Sequence, residues 1–394
     1  MGTKMKRIAM LVFSYYPNDV RVRREAEALV EAGMDVDVFC LQHEGEQRKG
    51  EFNKVGIYRL PISRKRSRKL RYILQYVVFI LAAFLRLSIL HFRKKYHVIH
   101  IHNMPDILVF SSLIPKLTKS KVVLDLHDPM PEVYMTKYSI MSSHLMIRAL
   151  CYLEKLSIRF SDLVLTPNKA FRDLFISRGC PDWKIHIVMN SPQEYIFKMR
   201  EAAANHKFID QANRFVLMFH GNILKRHGLV NAVEAVARLR NEIPNIIFHV
   251  YGGGEFVPQF FEQVERLNLK NIINYHGAVP IEEIASSIEH IDLGIIPNNM
   301  TPFTNLNFPT RIFEYLSMHK PVVAPRTQGI KDYFDEDSIY FFEAGNADSL
   351  TRTILDAYQN PIRRQLVLEK GIKIYNEHRW ELEKKHFVEL INNL

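Results

Sequence analysis

Short, nearly continuous runs of Val, Ile, Leu and Phe recur from one end of this chain to the other, alternating with helix-patterned stretches. A strand apolar on both of its alternating faces is buried on both, which happens in a parallel sheet covered by helices on each side. The runs in the first half are 7–13, 35–41, 97–102, 121–127, 162–167 and 184–190. Those in the second are 215–221, 246–252, 272–278, 293–297 and 321–325. Segments 20–32 and 229–241 carry clear helical periodicity between them. The alternation stops over 191–214, a stretch with Pro192 and then polar, Ala-rich sequence, and afterwards restarts. That pattern predicts an α/β chain of two doubly wound domains, divided at 195/196. A length of 394 residues suits two such units. Ligands of doubly wound sheets sit at the carboxyl ends of strands, so residues just after these runs become the candidates for function.

Only Cys40, Cys151 and Cys180 occur, far apart and without a CxxC pair. That argues against a disulfide framework and against a zinc site, and fits a reducing cytosol. The opening MGTKMKRIAMLVFSYYPND passes from basic residues into a short apolar run. It reads as a first core strand, since an export signal needs a longer apolar region and a small-residue cleavage site. Charge is unevenly spread. Through residue 195 there are 31 Lys and Arg against 18 Asp and Glu, and beyond it 22 against 24. A one-sided basic domain implies an anionic partner surface.

The densest basic run, Arg64, Lys65, Arg66, Arg68, Lys69 and Arg71, leads into YILQYVVFILAAFLRLSILHF and then Arg93, Lys94 and Lys95. Only 14 residues, Gln75 among them, separate Arg71 from Arg86, which is short for a membrane span. Ile73, Val77, Ile80, Phe84 and Leu87 line one helical face, and Leu74, Val78, Leu81 and Leu85 line another. Segment 64–95 is therefore expected to lie on an anionic membrane surface. A buried core helix would also be apolar all round but needs no bracket of cations. Nucleic acid is not an expected partner, because the basic run has neither aromatic interleaving nor a binding motif.

Ordered motifs narrow the chemistry. PNDVRVRREAEALVEAGMDVDVFCL, HIHNMPD, LDLHDPMPEVY and SDLVLTPNKAFRDLF occupy the first half. HGNILKRHGL, YGGGE, YHGAVPIEEI, DLGIIPNN and FPTRIFEYLSMHKPVVAP follow in the second. Each is weak alone, but the ordered set resembles the retaining, GT-B-fold glycosyltransferases of family four over nearly the whole chain. The resemblance implies two Rossmann-like domains facing a cleft. Residues 1–195 would bind the acceptor and face the membrane, 196–378 would bind a nucleotide-sugar donor, and a helix in 379–394, with Trp380, would cross back to the first domain. It also implies metal-independent transfer with retention, no cofactor beyond the nucleotide diphosphate sugar (UDP-sugar foremost), and a lipid-linked acceptor. No DxD-type motif argues for a metal.

Residue by residue, the resemblance assigns His127 to the donor sugar and Arg226 to the departing diphosphate. Positive charge there offsets the developing negative charge. Gly221, Asn222, Lys225 and His227 share that loop, His227 standing where relatives carry a lysine. Gly252, Gly253, Gly254 and Glu255 form a glycine turn that permits close backbone approach. Val279 and Pro280 would hold the base through backbone groups. Glu314 matches the second glutamate of the family's Glu-x7-Glu motif, and a carboxylate can accept from both ribose hydroxyls. Leu306 replaces the first glutamate, so Asn305 and Asn307 are expected to contact the sugar, with Thr310 and Arg311 near phosphate. Asp19 is a catalytic or acceptor-site candidate, although Asn-Asp is also an ordinary helix cap. Arg21, His102, Asn103 and Asp128 are acceptor-side candidates. Location is expected to be cytoplasmic, peripheral to the inner face of the membrane. A nucleotide-sugar epimerase of the same fold and a non-catalytic membrane-bound module are the rival readings. A dinucleotide dehydrogenase is disfavoured, because no GxGxxG follows the first strand.

Overall fold

The computed structural model describes residues 5–62, 69–198 and 214–394. The chain forms two compact units, Asn190–Leu382 being the second, and the first combining everything through Met189 with Glu383–Leu394. The division thus falls at 189/190 rather than 195/196, and the return to the first unit begins at Glu383 rather than at residue 379.

In the first unit the strands are β1 (Arg7–Leu11), β2 (Asp35–Leu41), β3 (Lys49–Phe52), β4 (Val55–Leu60), β5 (Val98–His102), β6 (Lys121–Asp125), β7 (Leu163–Thr166) and β8 (Ile185–Ile187). They form one sheet in the order β3-β4-β2-β1-β5-β6-β7-β8, parallel except for the β3–β4 hairpin. The second unit has β9 (Phe215–His220), β10 (Ile246–Tyr251), β11 (Ile273–Gly277), β12 (Leu293–Ile295), β13 (Val322–Pro325) and β14 (Tyr340–Phe342). Its sheet is parallel throughout, in the order β11-β10-β9-β12-β13-β14. All eleven apolar runs coincide with strands, because β-branched and aromatic residues buried on both faces have no other low-energy place. β3, β4 and β14 left no such run. β3 is an exposed, polar edge (KGEF) that turns at Asn53 and Lys54, both at positive φ, and β14 is only three residues long.

The helix Lys69–Lys94 spans 26 residues, about 39 Å at 1.5 Å per residue. Its inner face, with Tyr76, Phe79, Ala83, Leu87 and Leu90, is buried in the first unit. Ser111 Oγ, on the 3-10 helix Asp106–Ser112, donates to the carbonyl of Ile80. Leu74, Val77, Val78, Leu81, Leu85, Ile89 and Phe92 remain exposed along the outer face. Arg86 does not interrupt the apolar length, because its guanidinium lies 5.5 Å from the centroid of the Tyr58 ring. By length and composition Leu74–Lys94 could cross a membrane, which corrects the count of 14, but its inner half is committed to the protein core. Lys94 is also committed. Its ammonium lies 2.6 Å from buried Asp37, which additionally accepts from Tyr96. Arg64, Lys65, Arg66 and Arg68 lie outside the described residues, and so do the side chains of Lys69 and Arg71.

The helix Trp380–Asn392 returns the chain to the first unit. Glu383 accepts from the Met189 amide at 2.9 Å, Lys384 pairs with Glu31 at 3.2 Å, and Lys6 donates to the carbonyls of Ile391 and Asn392. Phe387 is wholly buried 5.7 Å from the His100 ring.

Candidate functional site

In each unit the strand order reverses at one place, and that place organises the polar residues. From β1 the first sheet runs outward through β2, and from β5 it runs the other way through β6. Two neighbouring strands with crossovers leaving on opposite faces open a crevice at their carboxyl ends. Asp19 begins the helix Val20–Glu31 after β1, while His102 and Asn103 end β5. His127 stands two residues beyond β6, which closes at Asp125 rather than at His127.

Asp125 is the hub. One carboxylate oxygen lies 3.0 Å from His102 Nδ1 and 3.3 Å from His127 Nδ1. A carboxylate only accepts, so His127 Nδ1–H donates to it and Nε2 is the nitrogen left for a substrate. Burial pushes the Asp125 carboxyl up, but His127 and His102 outweigh it and hold the group well below the usual range. Asp19 occupies the N-cap position without capping through its side chain. Its carboxylate instead lies 3.6 Å from Arg21 Nε. Against the upward push of burial, Arg21, His127 and His102 lower its pKa.

Two acceptor-side candidates serve the scaffold. His102 is fully buried on Asp125. Asn103, also buried, donates to Asp106 Oδ1 at 3.0 Å and to the carbonyl of Asp128 at 2.7 Å, tying the end of β5 to the loop after β6. Asp128 therefore enters through its backbone, its side chain being half-buried. Asp19, Arg21 and His127 remain as the groups at the crevice.

The His127 loop is clamped from behind. Arg178 bridges Glu132, in the helix that follows His127, and Glu154, whose Oε2 lies 3.1 Å from Nη1. Burial pushes Glu154 up to about 8, with Arg178 pulling the other way. A carboxyl raised on folding contributes stability that is fully present below its unfolded pKa near 4.3 and is lost as pH rises through the folded value. Unfolding free energy should therefore fall between about pH 5 and 8.5 by an amount on the order of 1–3 kcal/mol, discounted for the partial compensation by Arg178, and melting temperature should fall with it. Glu154→Gln, which cannot ionise, should flatten that part of the profile. An unchanged slope would exclude Glu154 as its source.

In the second unit the order reverses between β9 and β12. His220 and Gly221 close β9, and Asn298 and Asn299 follow β12. Glu314, on the helix Arg311–Ser317, places Oε2 3.2 Å from His220 Nε2. Arg311 donates to the His220 carbonyl at 2.7 Å and lies over the Phe219 ring, so it braces the end of β9. The loop crests after β9 and β10 interlock. The Gly221 amide donates to the Tyr251 carbonyl, and the Ile223 amide to the Gly253 carbonyl at 2.8 Å. A Cβ on Gly252 would lie 1.8 Å from the Gly221 oxygen, and one on Gly254 would lie 2.2 Å from the Ile223 oxygen. Only glycine permits this approach, and both residues have positive φ.

Lys225, Arg226 and His227 form a short 3-10 turn, and the helix Leu229–Leu239 starts only after Gly228. The basic residues thus precede the helix instead of entering it. The turn is held on the β12 loop by the Asn299 amide to the Arg226 carbonyl, 2.9 Å, and by Asn299 Nδ2 to the Lys225 carbonyl, 2.8 Å. Lys225 is exposed, and the Arg226 guanidinium lies 5.3 Å from the centre of the Phe303 ring. Asn305 is drawn into the fold, its side-chain oxygen accepting from the Gln328 amide and its carbonyl from the Gly329 amide. Asn307 and Thr310 are half-buried beside it. Glu255 is exposed after the glycine crest. Val279 is half-buried, while the Pro280 carbonyl is spent on the first turn of the helix Ile281–Ile288.

Five residues received no role in the sequence reading. His220 and Asp125 sat inside quoted motifs without being singled out, and only the pairing of strand ends gives them partners. Tyr251 and His276 stack at 4.2 Å with His249 Nδ1 2.8 Å from His276 Nε2, a contact between β10 and β11 that no linear spacing signals.

Residues 19–191 match the profile of the glycosyl transferase 4-like domain, and residues 202–373 match that of glycosyl transferases group 1. TuaH of Bacillus subtilis, a glycosyltransferase named for teichuronic acid biosynthesis, is 28% identical over 140 residues, 36% of this chain and 34% of that protein. The alignment with this relative therefore spans about a third of its length. Among solved structures, sucrose-phosphate synthase from Thermosynechococcus elongatus superposes with a TM-score of 0.78 at 16% identity, covering 98% of both chains. Anabaena HepE in complex with UDP-glucose gives 0.75 at 17% identity, covering 98% of this chain and 100% of the other.

Proposed function

Since the chain belongs to the glycosyltransferase family, and so is an enzyme that uses a nucleotide sugar, we propose that its donor is a UDP-sugar and its acceptor a saccharide on a membrane lipid. The observation that carries the donor assignment is the Glu314–His220 pair beside the glycine crests at the β9/β12 reversal. There a carboxylate can accept from both ribose hydroxyls while the closely packed backbone of Gly221 and Gly252–Gly254 leaves room for the nucleotide. Arg226 and Lys225 offset charge on the departing diphosphate. His127, oriented by Asp125, serves the donor sugar, and Asp19 and Arg21 the acceptor. Transfer then retains the anomeric configuration and uses no metal in the departure of the diphosphate. The HepE complex with UDP-glucose supports the choice of UDP.

The membrane part of the reading rests on the helix Lys69–Lys94, whose outer face leaves Leu81, Leu85 and Ile89 each more than half exposed. Laid on the interface of the inner face of the membrane, such a face buries apolar area at about 25 cal/mol per Å². The flanking cations meet anionic headgroups at about 1 kcal/mol each. This arrangement suits the synthesis of surface polysaccharide or glycolipid, and the name of TuaH supports it. The triple substitution Leu81→Ser, Leu85→Ser and Ile89→Ser should cut recovery on phosphatidylglycerol vesicles at least tenfold. Neutralising the basic positions of 64–71 should weaken binding and its salt dependence. Wild-type recovery of both variants would refute the membrane reading.

Donor use itself is tested by release of UDP from UDP-sugars with and without lipid-linked acceptors. Acceptor-dependent release supports transfer. Sugar interconversion without an acceptor would favour an epimerase, and failure to bind any nucleotide would favour a non-catalytic module.

A further inference from the structure

Behind His127, in the first unit, Asp125 belongs to a buried group whose other members, Glu25, His100 and His102, have no part in the proposed transfer. Glu25 projects from the helix Val20–Glu31, His100 and His102 lie two residues apart on β5 and so share a face of the sheet, and Asp125 ends β6 in register with His102. One donor atom from each of the four falls within 4.8 Å of all the others, and the cluster is buried throughout. His100 and His102 are completely inaccessible. Both ring nitrogens of His100, Nε2 of His102 and Oε2 of Glu25 have no hydrogen-bond partner, and Glu25 Oε2 stands 3.7 Å from His100 Nε2. An unsatisfied buried polar atom is costly, so four of them on three side chains in one pocket call for an occupant.

Charge argues the same way. Asp19, Asp125, Asp128 and Glu383 face Arg21 and Arg24, four carboxylates against two guanidiniums even with Glu25 left out of the count. A divalent cation reduces that excess where water cannot. Donor chemistry sets its class, since two imidazoles with two carboxylates suit zinc and its neighbours, whereas magnesium and calcium favour oxygen alone.

We propose that Glu25, His100, His102 and Asp125 bind one divalent transition-metal ion of the zinc class in a closed, four-coordinate site. Metal–ligand bonds near 2.0–2.2 Å bring tetrahedral donors to about 3.3–3.6 Å of one another, a contraction of roughly an ångström from the present cluster. The absence of a CxxC pair had argued against zinc, but this donor set needs no cysteine. The ion holds the helix after β1, β5 and β6 together. Through Asp125 it fixes the carboxylate that orients His127.

The test uses the full chain stripped with EDTA and then given zinc. Equilibrium dialysis should find one ion per chain, and crystals grown with zinc should give an anomalous peak among the four side chains. Glu25→Gln and His100→Gln should each weaken binding at least tenfold while His276→Gln, which breaks the exposed His249–His276 pair, leaves it unchanged. Circular dichroism in EDTA checks that the variants fold, and the anomalous peak does not depend on them. No peak in the cluster, or binding that is lost in His276→Gln and kept in Glu25→Gln, would overturn the assignment.

Discussion

Glu314→Ala should lower the affinity for UDP by about a hundredfold. The carboxylate lies beside the end of β9, 3.2 Å from His220 Nε2, and can accept from two vicinal hydroxyls. Hydrogen bonds to a charged acceptor contribute about 1.5–3 kcal/mol each, so losing two costs at least two orders of magnitude. The readout is thermal. UDP at 100 times its dissociation constant stabilises the wild type by about 2.7 kcal/mol, and at the same concentration a hundredfold weaker variant gains only about 0.4 kcal/mol. Melting without nucleotide controls for the loss of the His220 contact. Glu314→Gln, which keeps the shape but offers one acceptor oxygen, should fall between. A full UDP shift in the alanine variant would remove Glu314 from the site and with it the main support for the donor assignment.

Arg226→Ala should reduce kcat about 10²–10³-fold with a smaller change in KM, because charge on the diphosphate grows as the sugar leaves. The neighbouring position gives a reason to expect the upper end. His227 donates from Nδ1 to the Asn222 carbonyl, and burial together with Arg311 pushes its pKa down to about 3, so it is neutral where relatives carry a charged lysine. Arg311 is occupied by the His220 carbonyl. The positive charge available to the diphosphate therefore falls to Arg226 and the exposed Lys225. Arg226→Lys should recover part of the rate, since a point charge replaces a planar fork. A kcat within threefold of wild type in the alanine variant would show that the backbone carries the diphosphate by itself.

Most of the fold could be read from the linear pattern. Eleven strands announced themselves because most of them are runs rich in Val, Ile, Leu and Phe, as strands covered on both faces require, and the glycine-rich and basic loops stood where such strands must end. β3, β4 and β14 could not be found that way, since β3 is polar and exposed, β4 interleaves its apolar residues with Gly56, Tyr58 and Arg59, and β14 is only three residues long. The candidate site was legible in part. His127 and Arg226 stand in loops after strands and Glu314 on the helix Arg311–Ser317, while His102 and Asn103 are buried on Asp125 and Asp106, and Asn305 pins its own loop.

What the sequence determined alone is the architecture and the chemical type of each loop, because burial periodicity and glycine are local, additive signals. Which strand lies beside which is not local. The reversals between β1 and β5 and between β9 and β12 exist only in the sheet. They bring Asp125 to His102 and His127, and Glu314 to His220 across 94 residues of chain. The helix Lys69–Lys94 shows the same division. Its composition is apolar nearly all round, and packing against Asp106–Ser112 and the neighbouring strands decided which face is buried in the core and which is left exposed.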